Sequence, residues 1–213
     1  ENRQILHQNM LKNIVFDMGG VLIDLNKQAC INAFKKLGFE DVENFIGEYV
    51  QADFFLQLER GTISPEKFYA IIREKVKKNI DDEEIKEAWF AFLLDIPQKK
   101  LDLLLELKKS YKVFMLSNTN AIHFPEIKRK YFEKDGHNLS DYFDKCYLSY
   151  EIHQNKPAKE IFDFMIRDSA ILPQESLFID DGRTNIEMAK ELKFQTYLAK
   201  EQEDFSHLFV SLL

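Results

Sequence analysis

An α/β fold is predicted, a doubly wound parallel sheet with a small all-helical unit inserted after its first strand and flap. Three observations carry that reading. Short apolar runs alternate with helical patterns through the second half of the 213-residue chain. The first apolar run stops abruptly on an aspartate, and between about Asn26 and Pro97 helical periodicity continues with no strand signal. The length suits one ordinary domain or a core with a small accessory unit. We therefore assign residues 10–25 and 98–213 to the α/β core and 26–97 to a helical cap.

Lys12-Asn13-Ile14-Val15-Phe16 reads as a buried strand that delivers Asp17 to the rim of a sheet. Gly19-Gly20 permits a sharp turn, after which Val21-Leu22-Ile23 returns as a hairpin or flap. In the insert, Ile31, Phe34 and Leu37 share a helix face and Gly38 is a stop signal. Ser64-Pro65 supplies an N-cap and a first-turn proline for a helix through Phe68, Ile72 and Val76. Asp81 or Asp82 caps another, expected to run through Trp89 and Phe92 to Pro97. Beyond it come a helix over 101–109, a strand over 112–116 ending at Ser117, and a helix over 123–134. A strand over 145–148, a helix over 158–167, a strand over 176–179 ending at Asp180-Asp181, a helix over about 184–192 and a strand over 196–198 complete the alternation.

Composition excludes several functions. Apolar residues make up 45% and charged residues 31%, a balance that builds a packed core rather than a disordered chain. The formal net charge is −7 and no basic stripe is dense enough to track a nucleic-acid backbone, so no nucleic-acid partner is expected. The basic runs at 75–78 and 128–130 read as solvated helix faces. No apolar stretch approaches the roughly 20 residues that span a bilayer, and residues 1–13 lack a secretion core. Cys30 and Cys146 read as thiols in a reducing cytoplasm, and no histidine has zinc-ligand spacing with another histidine or a cysteine.

Ligands of open parallel sheets bind beyond the carboxyl ends of the strands. That rule gathers Asp17, Ser117 and Asp180-Asp181 although they lie far apart in sequence. Magnesium takes hard oxygen ligands, commonly one or two carboxylates with waters and a substrate phosphate. Asp17 and Asp181 are the natural pair, with the Gly19 carbonyl between them. Lys156 can offset phosphate charge, and Ser117 with the Asn118 amide can hold phosphate oxygens. A carboxylate beside a metal can attack phosphorus and form an aspartyl-phosphate.

Four segments carry a family resemblance. Val15-Phe16-Asp17-Met18-Gly19-Gly20-Val21-Leu22, Leu116-Ser117-Asn118-Thr119-Asn120, Lys156-Pro157 and Phe178-Ile179-Asp180-Asp181 with Asn185 resemble, in order, the four motifs of the haloacid dehalogenase superfamily. The likeness covers almost all of the chain after residue 12, and the insert resembles that family's mobile cap. Leu58-Glu59-Arg60-Gly61-Thr62-Ile63-Ser64 is similar to a segment of bacterial α-glucose-1-phosphate phosphatases and of the phosphatase half of soluble epoxide hydrolases. The resemblance implies a Rossmann-like core and a magnesium-dependent phosphatase acting on a small phosphorylated metabolite, for instance a hexose 1-phosphate. By it Asp17 is the nucleophile and Lys156 assists catalysis. Asp17, Gly19 and Asp181 hold Mg2+, with Asp180 behind them or as an alternative ligand. Ser117, Asn118 and Lys156 bind the phosphoryl group, and Asn185 braces the Asp180-Asp181 loop. A monomer or weak homodimer is expected.

One position departs from the pattern. Most phosphatases of the superfamily carry a second aspartate two residues after the nucleophile as general acid and base, and here that position is Gly19. Such help is worth about 10²–10⁴-fold, so a substrate with a good leaving group is favoured. The rival classes are a phosphonate or carbon–halogen hydrolase on the same scaffold, and a binding or regulatory protein with weak turnover. Dehalogenases lack the metal site, which Asp180-Asp181 speaks against. Two readings of Glu59 and Arg60 stand, side chains that reach the pocket or, more simply, a surface ion pair.

Overall fold

The computed structural model describes residues 11–46, 54–76 and 78–210. Five strands, β1 (Asn13–Phe16), β2 (Lys112–Ser117), β3 (Lys145–Leu148), β4 (Ser176–Asp180) and β5 (Gln195–Leu198), form one parallel sheet in the order β3-β2-β1-β4-β5. β1 is central, and the chain leaves it toward β2 and β3 before crossing back to β4 and β5. The order therefore reverses at β1, between β2 and β4, where open sheets hold their ligands. Registers align the strand ends, with Phe16 opposite both Met115 and Ile179.

Strand residues alternate between the two faces, as a period of two requires. Ile14, Phe16, Val113, Met115, Leu177 and Ile179 join one apolar cluster, shared with α5 (Gln98–Leu107) and the C-terminal turn at Phe205–Phe209. Val15, Phe114, Leu116 and Phe178 join the other, with α9 (Lys159–Ser169) and α10 (Arg183–Glu191). Both faces are thus covered, and β1 and β4 are buried end to end.

Ahead of α5, the described residues of the insert after β1 form four α-helices: α1 (Lys27–Leu37), α2 (Phe54–Glu59), α3 (Pro65–Val76) and α4 (Asp82–Phe90). They gather around their own aromatic cluster. Phe68, fully buried, sits within 5.2–6.1 Å of the rings of Phe54, Phe55, Tyr69 and Trp89. Local chemistry fixes their ends. Asn26 caps α1 through the Ala29 amide, and Gly38 closes it at φ 106°. The Ser64 hydroxyl accepts from Lys67 at the start of α3, and Asp81 and Glu84 form a capping box on α4.

Two expected helices end early. The one expected to reach Pro97 stops at Phe90, because residues 92–95 must run back beside residues 24–26 as the cap's second connection. Asn26 donates to the Phe92 carbonyl, Leu94 to that of Asp24 and Asp24 to that of Asp95. The one expected over 123–134 is α6 (His123–Ile127), continued by a π-helical turn to Phe132 and closed by left-handed Asp135 and Gly136. α2 and the short helices α7 (Leu139–Tyr142) and α8 (Ser149–Ile152) were not expected from periodicity, since four to six residues do not establish a period.

No helix among the described residues is long and apolar enough to cross a membrane. Phe68→Ala leaves a void at the centre of the insert's ring cluster and is expected to cost about 3–5 kcal/mol. Urea denaturation of the two proteins measures it, and a loss below 1 kcal/mol would show that the cluster repacks.

Candidate active site

Asp17 follows the last residue of β1, and its amide donates to the Ile179 carbonyl at 2.9 Å, which carries the sheet one residue further and fixes the carboxylate at the rim. The residue is 7% exposed, with Oδ1 accepting from the Met18 amide at 2.7 Å. The following loop doubles back sharply: Leu22 and Ile23 both donate to the Met18 carbonyl, and Gly20 donates to Ile23. Gly20 requires its glycine twice over. Its φ is +76°, and a Cβ there would stand 2.1 Å from Oδ2 of Asp181. The turn is thus pressed directly against the second acidic segment.

Asp180 ends β4 with no exposed surface. Its Oδ1 accepts from the Gly182 amide (2.7 Å) and from Asn185 Nδ2 (2.9 Å), the latter on the first turns of α10. Its Oδ2 accepts from Lys156 Nζ at 2.5 Å. The same ammonium lies 2.8 Å from Asp17 Oδ1, so one buried lysine bridges two aspartates from neighbouring strands. Asp181 is exposed, yet a carboxylate oxygen from each of Asp17, Asp180 and Asp181 lies within 4.8 Å of the others.

Lys156 is held from behind by Asn118. The Lys156 amide donates to Asn118 Oδ1 (2.8 Å) and Asn118 Nδ2 donates to the Lys156 carbonyl (3.0 Å). The Asn118 side chain is therefore occupied with the lysine's backbone. Ser117, wholly buried at the end of β2, has only a long 3.5 Å contact to the Asn118 carbonyl. All four sequence-derived positions, 17, 117–118, 156 and 180–181, lie at the carboxyl ends of β1, β2 and β4 or are bonded to residues there.

Electrostatics follow from burial. Desolvation pushes the Asp17 carboxyl up to about 7; Lys156 pulls it down, and Asp180 and Asp181 add to the rise. Burial opposes the charged form of Lys156, but the two aspartates around it more than compensate and hold the ammonium above its ordinary value. Three carboxylates thus face one ammonium, a surplus of negative charge.

Two further features escaped sequence reasoning, and a third, Glu59, was left open by it. Lys100 of α5, 4% exposed, donates to the Val21 carbonyl at 2.5 Å and lies 3.5 Å from Asp24 Oδ1, bracing the loop after Asp17 from below. His123, buried, stacks on Trp89 at 4.4 Å and bonds its carbonyl at 3.1 Å; burial drives its imidazole down to about 3, so it pins cap to core as a neutral ring. Glu59 does not point along the surface: its carboxylate accepts from Asn155 at 3.1 Å, across the seam between cap and core. Nothing in the sequence pattern marks Lys100. The aromatic run around Trp89 and the Glu59-Arg60-Gly61 segment were visible, but not what they touch.

With a doubly wound core, a helical insert after β1 and an acidic cluster at the switch point, the chain is matched over residues 11–193 by the model of the haloacid dehalogenase-like hydrolases, and it belongs to that family. It is 42% identical over 196 residues to a D-ribitol-5-phosphate phosphatase of Bacteroides thetaiotaomicron, covering 92% of this chain and 95% of that one. A haloacid dehalogenase-family enzyme of the same organism, solved with magnesium and inorganic phosphate as an aspartate-to-alanine variant, superposes with a TM-score of 0.90. It shares 45% identity over 93% of this chain and 98% of that one. A haloacid dehalogenase-like hydrolase of Porphyromonas gingivalis gives a TM-score of 0.88 at 36% identity, covering 95% and 98%.

Without metal, native Asp17 keeps a proton up to about pH 7 that the unfolded chain loses near 3.8. Between those values the native state binds more protons, so stability falls as pH rises through that window. Lys156→Met removes the group that lowers Asp17, and should extend the fall to higher pH and cost about 3–5 kcal/mol near neutrality. Urea denaturation in chelator at pH 5 and pH 8 tests both, and a variant as stable as wild type at pH 8 would contradict this account of the charges.

Proposed function

We propose that the chain is a magnesium-dependent phosphatase of small polyhydric alcohol or sugar phosphates, working through an aspartyl-phosphate on Asp17. The observation that carries the reading is the meeting of Asp17, Asp180 and Asp181 around Lys156 at the point where strand order reverses. The donors fit magnesium: they are hard oxygens, closely spaced, and in excess over the one ammonium. Asp17, the Gly19 carbonyl and Asp181 would hold the ion. Asp180, whose two oxygens already serve Lys156, Gly182 and Asn185, orients the lysine instead. When bound, the ion neutralises phosphoryl charge that would otherwise repel the carboxylates.

Asp17 is the nucleophile because it is the central carboxylate, rigidly aimed from β1, with Lys156 beside it to favour its ionised form. One carboxylate oxygen bonds to phosphorus as the bond from phosphorus to the alcohol oxygen breaks, and the departing alkoxide takes a proton from water. Water then attacks the same phosphorus, releasing inorganic phosphate and restoring Asp17. Ser117, the Asn118 amide and Lys156 hold the phosphoryl oxygens in both steps. The helices of residues 26–97 act as a cap over the site, joined through residues 24–26 and 92–95. The two unbridged cysteines, whose thiols burial pushes up to about 12, suit a reducing cytoplasm.

Two substrate readings have support. The D-ribitol-5-phosphate phosphatase likeness spans nearly both chains and favours a pentitol 5-phosphate. Gly19, with no acid to protonate a poor leaving group, favours an anomeric phosphate. A panel of ribitol 5-phosphate, hexose 1-phosphates and p-nitrophenyl phosphate, with and without magnesium, decides between them. Asp17→Asn should abolish metal-dependent phosphate release in every case. Retention of activity in that variant would remove Asp17 from the reaction.

Gly19 can accept a side chain. Its φ lies outside the left-handed region and a Cβ would meet Leu25 at 3.4 Å, an ordinary contact. Gly19→Asp should therefore raise turnover of a primary-alcohol phosphate, by about tenfold or more, while improving p-nitrophenyl phosphate far less. Equal gains on both would show that missing acid–base help is not the limit.

A further inference from the structure

The seam between the cap and the phosphate end of the core contains a polar group that the structure leaves unexplained. Asn155 immediately precedes Lys156 and is 6% exposed. Its Nδ2 donates to the Glu59 carboxylate, but its buried Oδ1 finds no hydrogen-bond donor among the described residues. Buried acceptors are almost always paired, and one left unpaired is costly.

Fastening the cap does not account for it. The same cap segment is already held at three points. Ser149 Oγ, which also bonds the backbone of Thr119, donates to the Glu59 carbonyl at 2.7 Å, and His153 Nδ1 bonds the Arg60 carbonyl at 2.8 Å. Gly61, at φ +62°, lies so close to Tyr150 that a Cβ would stand 2.1 Å from its carbonyl oxygen. A fourth tie built from a carboxylate and an amide, with one amide end unsatisfied, does more than close a seam.

Its position supplies the reason. The adjacent residue sends its ammonium to within 2.8 Å of Asp17, and Asn118 pins that residue's backbone beside the phosphoryl-binding end of β2. Asn155 is thus the chain neighbour of the residue whose ammonium reaches the nucleophile. The groups offered there are acceptors, a carboxylate and an amide oxygen, and an alcohol hydroxyl is a donor.

We infer that Glu59 of the cap and Asn155 of the core together form the subsite for the leaving alcohol, accepting hydrogen bonds from its hydroxyl groups and selecting polyhydric over plain alkyl phosphates. This rests on the phosphatase reading above. It divides recognition between a core that holds phosphate and a seam that reads hydroxyls. A subsite built to bond a hydroxyl strongly rejects the analogue that lacks it.

The test compares ribitol 5-phosphate with n-pentyl phosphate, a chain of equal length carrying no hydroxyl, under magnesium. Wild type should prefer ribitol 5-phosphate by at least about 100-fold in kcat/KM. Glu59→Gln and Asn155→Ala should each shrink that preference by about tenfold or more, chiefly through KM for ribitol 5-phosphate. Should Asn155→Ala fail to fold, Glu59→Gln decides alone, since it keeps shape and a hydrogen bond to Asn155. If the variants slow both substrates equally, the pair is only a fastening and the inference falls. It falls equally if wild type hydrolyses both esters alike, although the phosphatase reading then stands. If wild type hydrolyses neither of them nor p-nitrophenyl phosphate, the phosphatase reading fails and takes the subsite with it.

Discussion

Three carboxylates and one ammonium are brought together where the sheet reverses its strand order, and most of the surrounding structure exists to make that arrangement tolerable. Lys156 has almost no exposed surface, and Asp180 has none. Charges so placed are costly unless each is paired and bonded. Asp180 meets that condition through Lys156, Gly182 and Asn185; Lys156 meets it through two aspartates, with Asn118 gripping its backbone. Asp17 meets it least well, and its carboxyl is correspondingly raised by burial. The member of the cluster whose charge burial disfavours is the one proposed to react.

The fold supplies rigidity where that chemistry is set. β1 and β4 are buried over their whole lengths, and their aligned registers put Asp17 beside Asp180 without help from any loop. The loop after Asp17 is then constrained from three directions: by its own bonds to Met18, by Gly20 against Asp181, and by Lys100 from α5 beneath. A position error of an ångström at a nucleophile is expensive. Buried Lys100 therefore makes sense as a brace, although it touches none of the acidic residues that meet at the switch point.

The cap has the opposite design. Its aromatic cluster is separate from the two that flank the sheet, and it joins the core through a pair of antiparallel connections at 24–26 and 92–95. His123 against Trp89, and residues 59–61 against 149–155, seat it over the carboxyl ends of the strands. In the proposed reading, chemistry and recognition fall on different units.

By itself the sequence determined the alternating core, the helical insert and which strand ends bear acids, because apolar periodicity, helix caps and glycine stops are local properties. The capped starts at Ser64 and Asp81 and the stop at Gly38 are of this kind. Strand ends such as Asp17 and Asp180 were legible because a run of apolar residues broken by a carboxylate is itself a signal. Tertiary structure alone decided that Lys156 bridges Asp17 and Asp180, that Lys100 supports the loop after Asp17, and that Glu59 faces Asn155 across the seam. Each of those contacts joins residues 24 to 139 positions apart, and none leaves a periodic or compositional trace. Pairings of that kind follow from where whole elements pack, so they enter only once the sheet order and the cap's seat are fixed.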